Sequence, residues 1–128
     1  AARGGVCGVC ALPRAVKEKD PGIKDMLDHI DHALRVAGPA AVGLGLDLME
    51  GFRENKVKSP ALVRRRTMRP DIFGTLDDFF NDAIPHGFTG IAALPNLTAG
   101  MLERGHSREV VAGVLGLNWL QAVRRFVG

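Results

Sequence analysis

Hydrophobic positions along the chain fall into two spacings. Ala40-Ala41-Val42-Gly43-Leu44-Gly45-Leu46-Asp47 is an unbroken apolar run that follows Gly38-Pro39 and closes on a carboxylate. A run this short, without polar alternation, suits a strand buried on both faces, and a strand is predicted over 40–47. Gly4-Gly5-Val6-Cys7-Gly8-Val9-Cys10-Ala11-Leu12-Pro13 reads as a second buried strand over 4–12. Between them Ile23, Met26, Leu27, Ile30, Ala33, Leu34 and Ala37 recur at steps of three and four, one stripe of an amphipathic helix. That helix is predicted over 21–37, with Asp20 as N-cap, Pro21 in the first turn and Gly38-Pro39 at its end. Strand, helix, strand is a βαβ unit with a right-handed crossover, which puts the chain in the α/β class.

Downstream of Asp47 the pattern weakens into a long loop over 48–90. Thr75-Leu76-Asp77-Asp78 offers a capping box for a short helix through Phe79 and Phe80, stopped before Pro85. A loop of this length after a strand's C-terminal end is placed to act as a lid. Helical spacing returns over 95–126. One helix runs from Pro95 to Arg104, with Leu97, Met101 and Leu102 inward and Gly105 after it. Ser107 caps the next, which carries Val110, Val111, Val114 and Leu115 and ends at Gly116. Asn118 is placed to cap a last helix with Trp119, Leu120, Val123 and Phe126.

Composition narrows the class. The 128 residues fit one ordinary domain or a piece of a larger one, and 46% apolar residues argue against global disorder. A net charge of +3 by itself calls for neither a nucleic-acid nor a membrane partner. No apolar run reaches the roughly 18 residues of a membrane span, and the start lacks a signal-peptide layout. Two cysteines are too few for a disulfide framework. The chain therefore reads as soluble and cytoplasmic.

Asp47 is the leading site candidate, because parallel strands present their chemistry at their C-terminal ends. On spacing alone it fits equally well as a cap on the following loop. Cys7 and Cys10 form a C-x-x-C, but residues three apart in a strand point to opposite faces, and a zinc site would need ligands that no further cysteine supplies. They read as small buried apolar residues. His29 and His32 share one face of the predicted helix and could bind a metal given a third ligand. Asp28 and Asp31 beside them point instead to a polar helix surface. His86 and His106 fall in turns and carry no assigned chemistry. Arg53, Lys56, Lys58, Arg64, Arg65, Arg66 and Arg69, against the one acid Glu54, could hold an anion or RNA or simply face solvent. Without aromatic interleaving, no nucleic-acid partner is expected.

Gly43-Leu44-Gly45-Leu46-Asp47 resembles the late-strand motif of the membrane dipeptidase (renal dipeptidase-like) metallopeptidases. Ala2-Arg3-Gly4-Gly5-Val6 resembles that family's penultimate strand, and Asp28-His29-Ile30-Asp31-His32 the helix after it. The stretch from Leu94-Pro95-Asn96-Leu97-Thr98 to Arg104-Gly105-His106-Ser107 resembles its C-terminal helix pair, and Leu115-Gly116-Leu117-Asn118 its closing turn. The resemblance covers nearly the whole chain in order. It implies the last two β/α units of a TIM-type (β/α)8 barrel of the metallo-dependent hydrolase type plus C-terminal helices. Such a piece is incomplete on its own, since a full barrel takes about 250 residues.

The resemblance also implies an activity. The family hydrolyses dipeptides with metal-activated water at a two-zinc centre. Its ligands (an early His-x-Asp, a mid-chain Glu and two later His) lie upstream of this chain, so no metal ligand is expected here. Asp47 matches the family carboxylate that faces the substrate's amino end and is implicated in proton transfer to the leaving amine. The implied partners are a dipeptide, the remainder of the barrel and a possible second copy. The 128-residue chain alone is expected to be inactive. Leu48-Met49-Glu50-Gly51 stands where many members have Phe-Asp-Gly, and Gln121 where an arginine is usual. These departures bear on substrate range rather than fold. Two rival readings remain: a non-catalytic barrel fragment that associates with another chain, and an anion- or RNA-binding module built on Arg64-Arg65-Arg66.

Overall fold

The computed structural model describes residues 2–48, 64–65, 67–73 and 85–128. The chain divides into two units, one formed by Ala1–Leu48 with Ile84–Gly128 and the other by Met49–Ala83. The capping box expected at Thr75 and most of the basic run and expected lid lie outside the described residues.

In the first unit, β1 (Cys7–Val9) leads through a short helix α1 (Pro13–Val16) to α2 (Ile23–Ala37). A 3-10 turn (Pro39–Ala41) then delivers β2 (Val42–Leu44). The strands pair in parallel with Cys7 opposite Val42 and Val9 opposite Leu44. The βαβ unit expected from the hydrophobic spacing is present, with shorter strands.

Helix α2 begins at Ile23 rather than at Pro21. The backbone of Pro21 and Gly22 is drawn into an extended bridge with His86: the His86 N–H donates to the Pro21 carbonyl, and the Ile23 N–H to the His86 carbonyl, both at 2.8 Å. Gly22 is therefore the N-cap, and Asp25 Oδ2 accepts its N–H at 2.9 Å, the returning half of a capping box. Asp20, displaced from the cap, lies in a bend with φ 49°.

The stripe on α2 buries Met26, Leu27 and Ile30 against Val9 and Val42 on one face of the strand pair. The C-terminal third closes the same core with α4 (Leu94–Glu103) and α5 (Arg108–Ala112), through Leu97, Met101, Val111 and Val114. Phe88, fully buried, belongs to the same core. Glycine at 100 lets α4 approach α2 closely, since a Cβ there would sit 2.5 Å from Leu27 Cδ1. Ser107 caps α5 as expected, accepting the Val110 N–H. A wide turn (Gly113–Leu117) leads into α6 (Asn118–Val127).

Of the three residues expected inward on α4, Leu97 and Met101 are buried and Leu102 is not. Leu102 and Leu115 are exposed, and so are Trp119, Leu120, Val123 and Phe126; α6 buries only Asn118 and Ala122. Asn118 is not a helix cap. Its amide donates to the carbonyls of Pro39 and Val42, both at 2.7 Å, so it ties α6 to the start of β2.

The second unit, by itself, shows helix α3 (Pro70–Phe73), introduced by Arg69. Arg64, Arg65 and Arg69 are exposed, and Arg69 Nη2 pairs with Asp71 Oδ2 at 2.7 Å. Among the described residues no helix is long and apolar enough to cross a membrane.

Candidate active site at the end of the second strand

Inter-strand bonding runs past the regular strands. The Gly45 N–H donates to the Val9 carbonyl at 3.0 Å, and the Ala11 N–H to the Leu46 carbonyl at 3.1 Å. Asp47 is the next residue, at the C-terminal end of β2. Leu46 and Leu48 on either side pack against the core, while Asp47 is exposed. Its φ is 54°, the left-handed region that Asp tolerates better than most side chains. Asp20 shares that backbone conformation, so the dihedral alone marks no site. Asp47 differs in place: two partly buried leucines that pack against the core flank it and leave the carboxylate exposed at a parallel strand's end. Among the described residues no hydrogen bond or ion pair engages it. A carboxylate so presented can accept hydrogen bonds from an ammonium group or take and return a proton.

A second acidic group has the opposite surroundings. Helix α4 ends in a Schellman turn: the Gly105 N–H donates to the Leu102 carbonyl and the His106 N–H to the Met101 carbonyl, with Gly105 at φ 84°. That turn aims Arg104 and His106 at α2. Arg104 Nη1 lies 2.5 Å from Asp31 Oδ2 and 2.7 Å from Asp28 Oδ1, and Nη2 donates to the Lys24 carbonyl at 3.1 Å. His106 Nε2 lies 2.6 Å from Asp31 Oδ1. Burial pushes the Asp31 carboxyl up, but the hydrogen bonds from His106 and Arg104, with their charges, outweigh it. The group is held below the ordinary carboxylate range.

The remaining expected ligands are dispersed. His29 Nε2 is hydrogen-bonded to the Val16 carbonyl at 2.8 Å, and His32 Nδ1 accepts from Arg35 at 3.1 Å. Cys7 is exposed and Cys10 half-buried, which corrects their reading as buried residues: among the described residues β1 pairs only with β2, so its outer side is uncovered. Cys10 Sγ accepts the Leu12 N–H at 3.3 Å. Among the described residues no three His, Cys, Asp or Glu side chains gather as a metal site. Zinc takes four donors in a structural site and three protein donors in a catalytic one. The described residues do not by themselves make up such a donor set.

A family profile described as membrane dipeptidase (peptidase family M19) matches residues 1–64, half of the chain and the half that holds both strands, α2 and Asp47. The chain belongs to the membrane dipeptidase family. The fold is similar to the crystal structure of an amidohydrolase from Pseudomonas aeruginosa, with a TM-score of 0.72 and 26% identity. That likeness covers 96% of this chain and 36% of the other, so the chain spans little more than a third of that protein's length.

Residue patterns missed two features that this dipeptidase-family chain builds. Gly105 gave the end of α4, but nothing in the spacing paired Arg104 and His106 with Asp31 more than seventy positions away. Asn118 looked like an N-cap because Asn before an apolar helix usually is one. Its use as a buried cross-link depends on where β2 happens to pass.

Proposed function

We propose that the chain supplies the last two β/α units and the C-terminal helices of a TIM-type (β/α)8 barrel in a metal-dependent dipeptidase, with Asp47 as its substrate-facing catalytic residue. The observation that carries this reading is the exposed Asp47 carboxylate, unpartnered among the described residues, at the C-terminal end of a parallel strand, its backbone flanked by the packed Leu46 and Leu48. Barrel enzymes assemble their chemistry at that end of the strands. Family membership and a likeness that fills only 36% of the amidohydrolase chain support a whole protein with further β/α units.

In this reading a metal ion held by residues other than the described ones would supply an activated water for hydrolysis of the peptide bond. Asp47 accepts hydrogen bonds from the substrate's ammonium group and fixes which end of the dipeptide enters first. A proton held on an Asp47 oxygen can pass to the leaving amine as the peptide bond breaks. The test is dipeptide hydrolysis by this chain alone and when joined to an upstream segment bearing the family's His-x-Asp. The joined protein is expected to turn over dipeptides and the isolated chain is not. A joined protein that folds, binds zinc and leaves every dipeptide intact would overturn the reading.

A non-catalytic, associating piece is the second reading. It is favoured by the exposed apolar stripe of α6, where Leu120, Val123, Phe126 and Val127 face away from the core. It predicts stable association with an upstream segment and no dependence of any activity on Asp47.

A further inference from the structure

In a parallel strand each residue sends its N–H and C=O to the same side, and the side alternates along the chain. The Gly45 N–H bonds to Val9, so Gly43 and Gly45 face β1. Val42 and Leu44 therefore turn their carbonyls to the other, outer edge of β2. Both carbonyls are already taken. Asn118 Nδ2 donates to the Val42 carbonyl at 2.7 Å, and Trp119 Nε1 to the Leu44 carbonyl at 2.9 Å.

The donors are held in place from two directions. Asn118 is buried and lies so close to Gly113 that a Cβ there would fall 3.0 Å from its Oδ1. The Trp119 ring lies over the face of the sheet opposite the core. A Cβ on Gly43 would collide with its pyrrole edge, and one on Gly8 would come within 3.3 Å of Cζ2. Glycine at both positions gives the indole a flat floor that spans the two strands.

We propose that the first turn of α6 is a removable guard on the outer edge of β2. The side-chain N–H groups of Asn118 and Trp119 stand in for the backbone N–H groups of a neighbouring strand, so an added strand and the guard exclude each other. A bare strand edge is a template for pairing with another chain, and a cover suppresses it. Where the added strand is the one that closes a barrel, the statement rests on the proposed function. The guard itself does not, and its test involves no catalysis.

Trp119 is the chain's single tryptophan, so its indole N–H gives one resonance to follow in the full 128-residue protein. Its exchange with solvent is expected to be at least about tenfold slower in the native chain than in denaturant, as for a hydrogen-bonded group opened only by local unfolding. Equal rates would overturn the guard. Self-association then tests the exclusion, with a second copy of the chain as strand donor. Trp119→Ala frees the Leu44 carbonyl and uncovers Gly8 and Gly43, and should tighten dimerisation about tenfold or more in sedimentation equilibrium. Trp119→Phe, which keeps a ring on the glycine floor but loses the N–H, should fall between. A folded Trp119→Ala chain that associates no more tightly than the native one would overturn the proposal. Should that variant fail to fold, the Trp119→Phe series decides in the same way.

Discussion

Asp31 and Asp47 stand sixteen positions apart in one βαβ unit, and their surroundings are opposite. Asp31 lies on α2 with a guanidinium on one oxygen and an imidazole on the other, at 2.5 and 2.6 Å. Asp47 lies at a strand end with its carboxylate exposed and, among the described residues, unengaged. A carboxylate whose oxygens are both held by the protein spends its interactions on joining α2 to the α4–α5 turn. One that no described residue engages, on a backbone flanked by two packed leucines, leaves its interactions for a ligand.

The two groups can be exchanged experimentally. The largest effect is expected from Asp47→Asn in the joined protein, where loss of proton transfer and of ammonium binding should reduce turnover by about a hundredfold or more, with an unchanged melting temperature. Asp31→Asn should do the reverse. Turnover should persist while stability drops by about 1 kcal/mol, a figure already reduced for the solvent that reaches a partly exposed pair. A turnover loss for Asp31→Asn that matched the Asp47 variant would erase the distinction.

Acid sharpens it. The Asp31 carboxyl is depressed in the folded chain, so its stabilisation is complete above the unfolded value and is lost as pH falls through the folded one. Denaturation followed by circular dichroism below about pH 4 should therefore contain a component that Asp31→Asn removes and Asp47→Asn leaves in place. The smallest effect is expected from Asp47→Gly. Glycine adopts φ 54° freely, so the chain should be as stable as before or gain up to about 1 kcal/mol, readable as a small rise in melting temperature. A clear loss of stability would mean that the Asp47 side chain supports the fold.

The βαβ unit was readable because its signals are local: two glycine-bearing apolar runs and a stripe at helical spacing. The start of α2 was not, because Asp20-Pro21 looks like a helix entry until the strand-like segment at His86 engages Pro21 and Ile23. Cys7 has a buried residue's surroundings in sequence, yet it is exposed, and among the described residues its strand pairs only with β2. The Arg104–Asp31–His106 cluster and the Asn118 cross-link join residues seventy or more positions apart, and no periodicity encodes such a pairing. For the site, the position of Asp47 at the end of β2 followed from the apolar run that precedes it. Its left-handed backbone did not, because that depends on Leu46 and Leu48 both finding the core.

The measurement that meets the central claim most directly is the turnover of one dipeptide by the joined protein carrying Asp47, Asp47→Asn or Asp31→Asn, with melting temperatures recorded alongside. The account predicts that Asp47→Asn lowers turnover by about a hundredfold or more in a fully stable protein while Asp31→Asn hydrolyses the dipeptide from a less stable one. Unchanged turnover in the Asp47→Asn protein would contradict it.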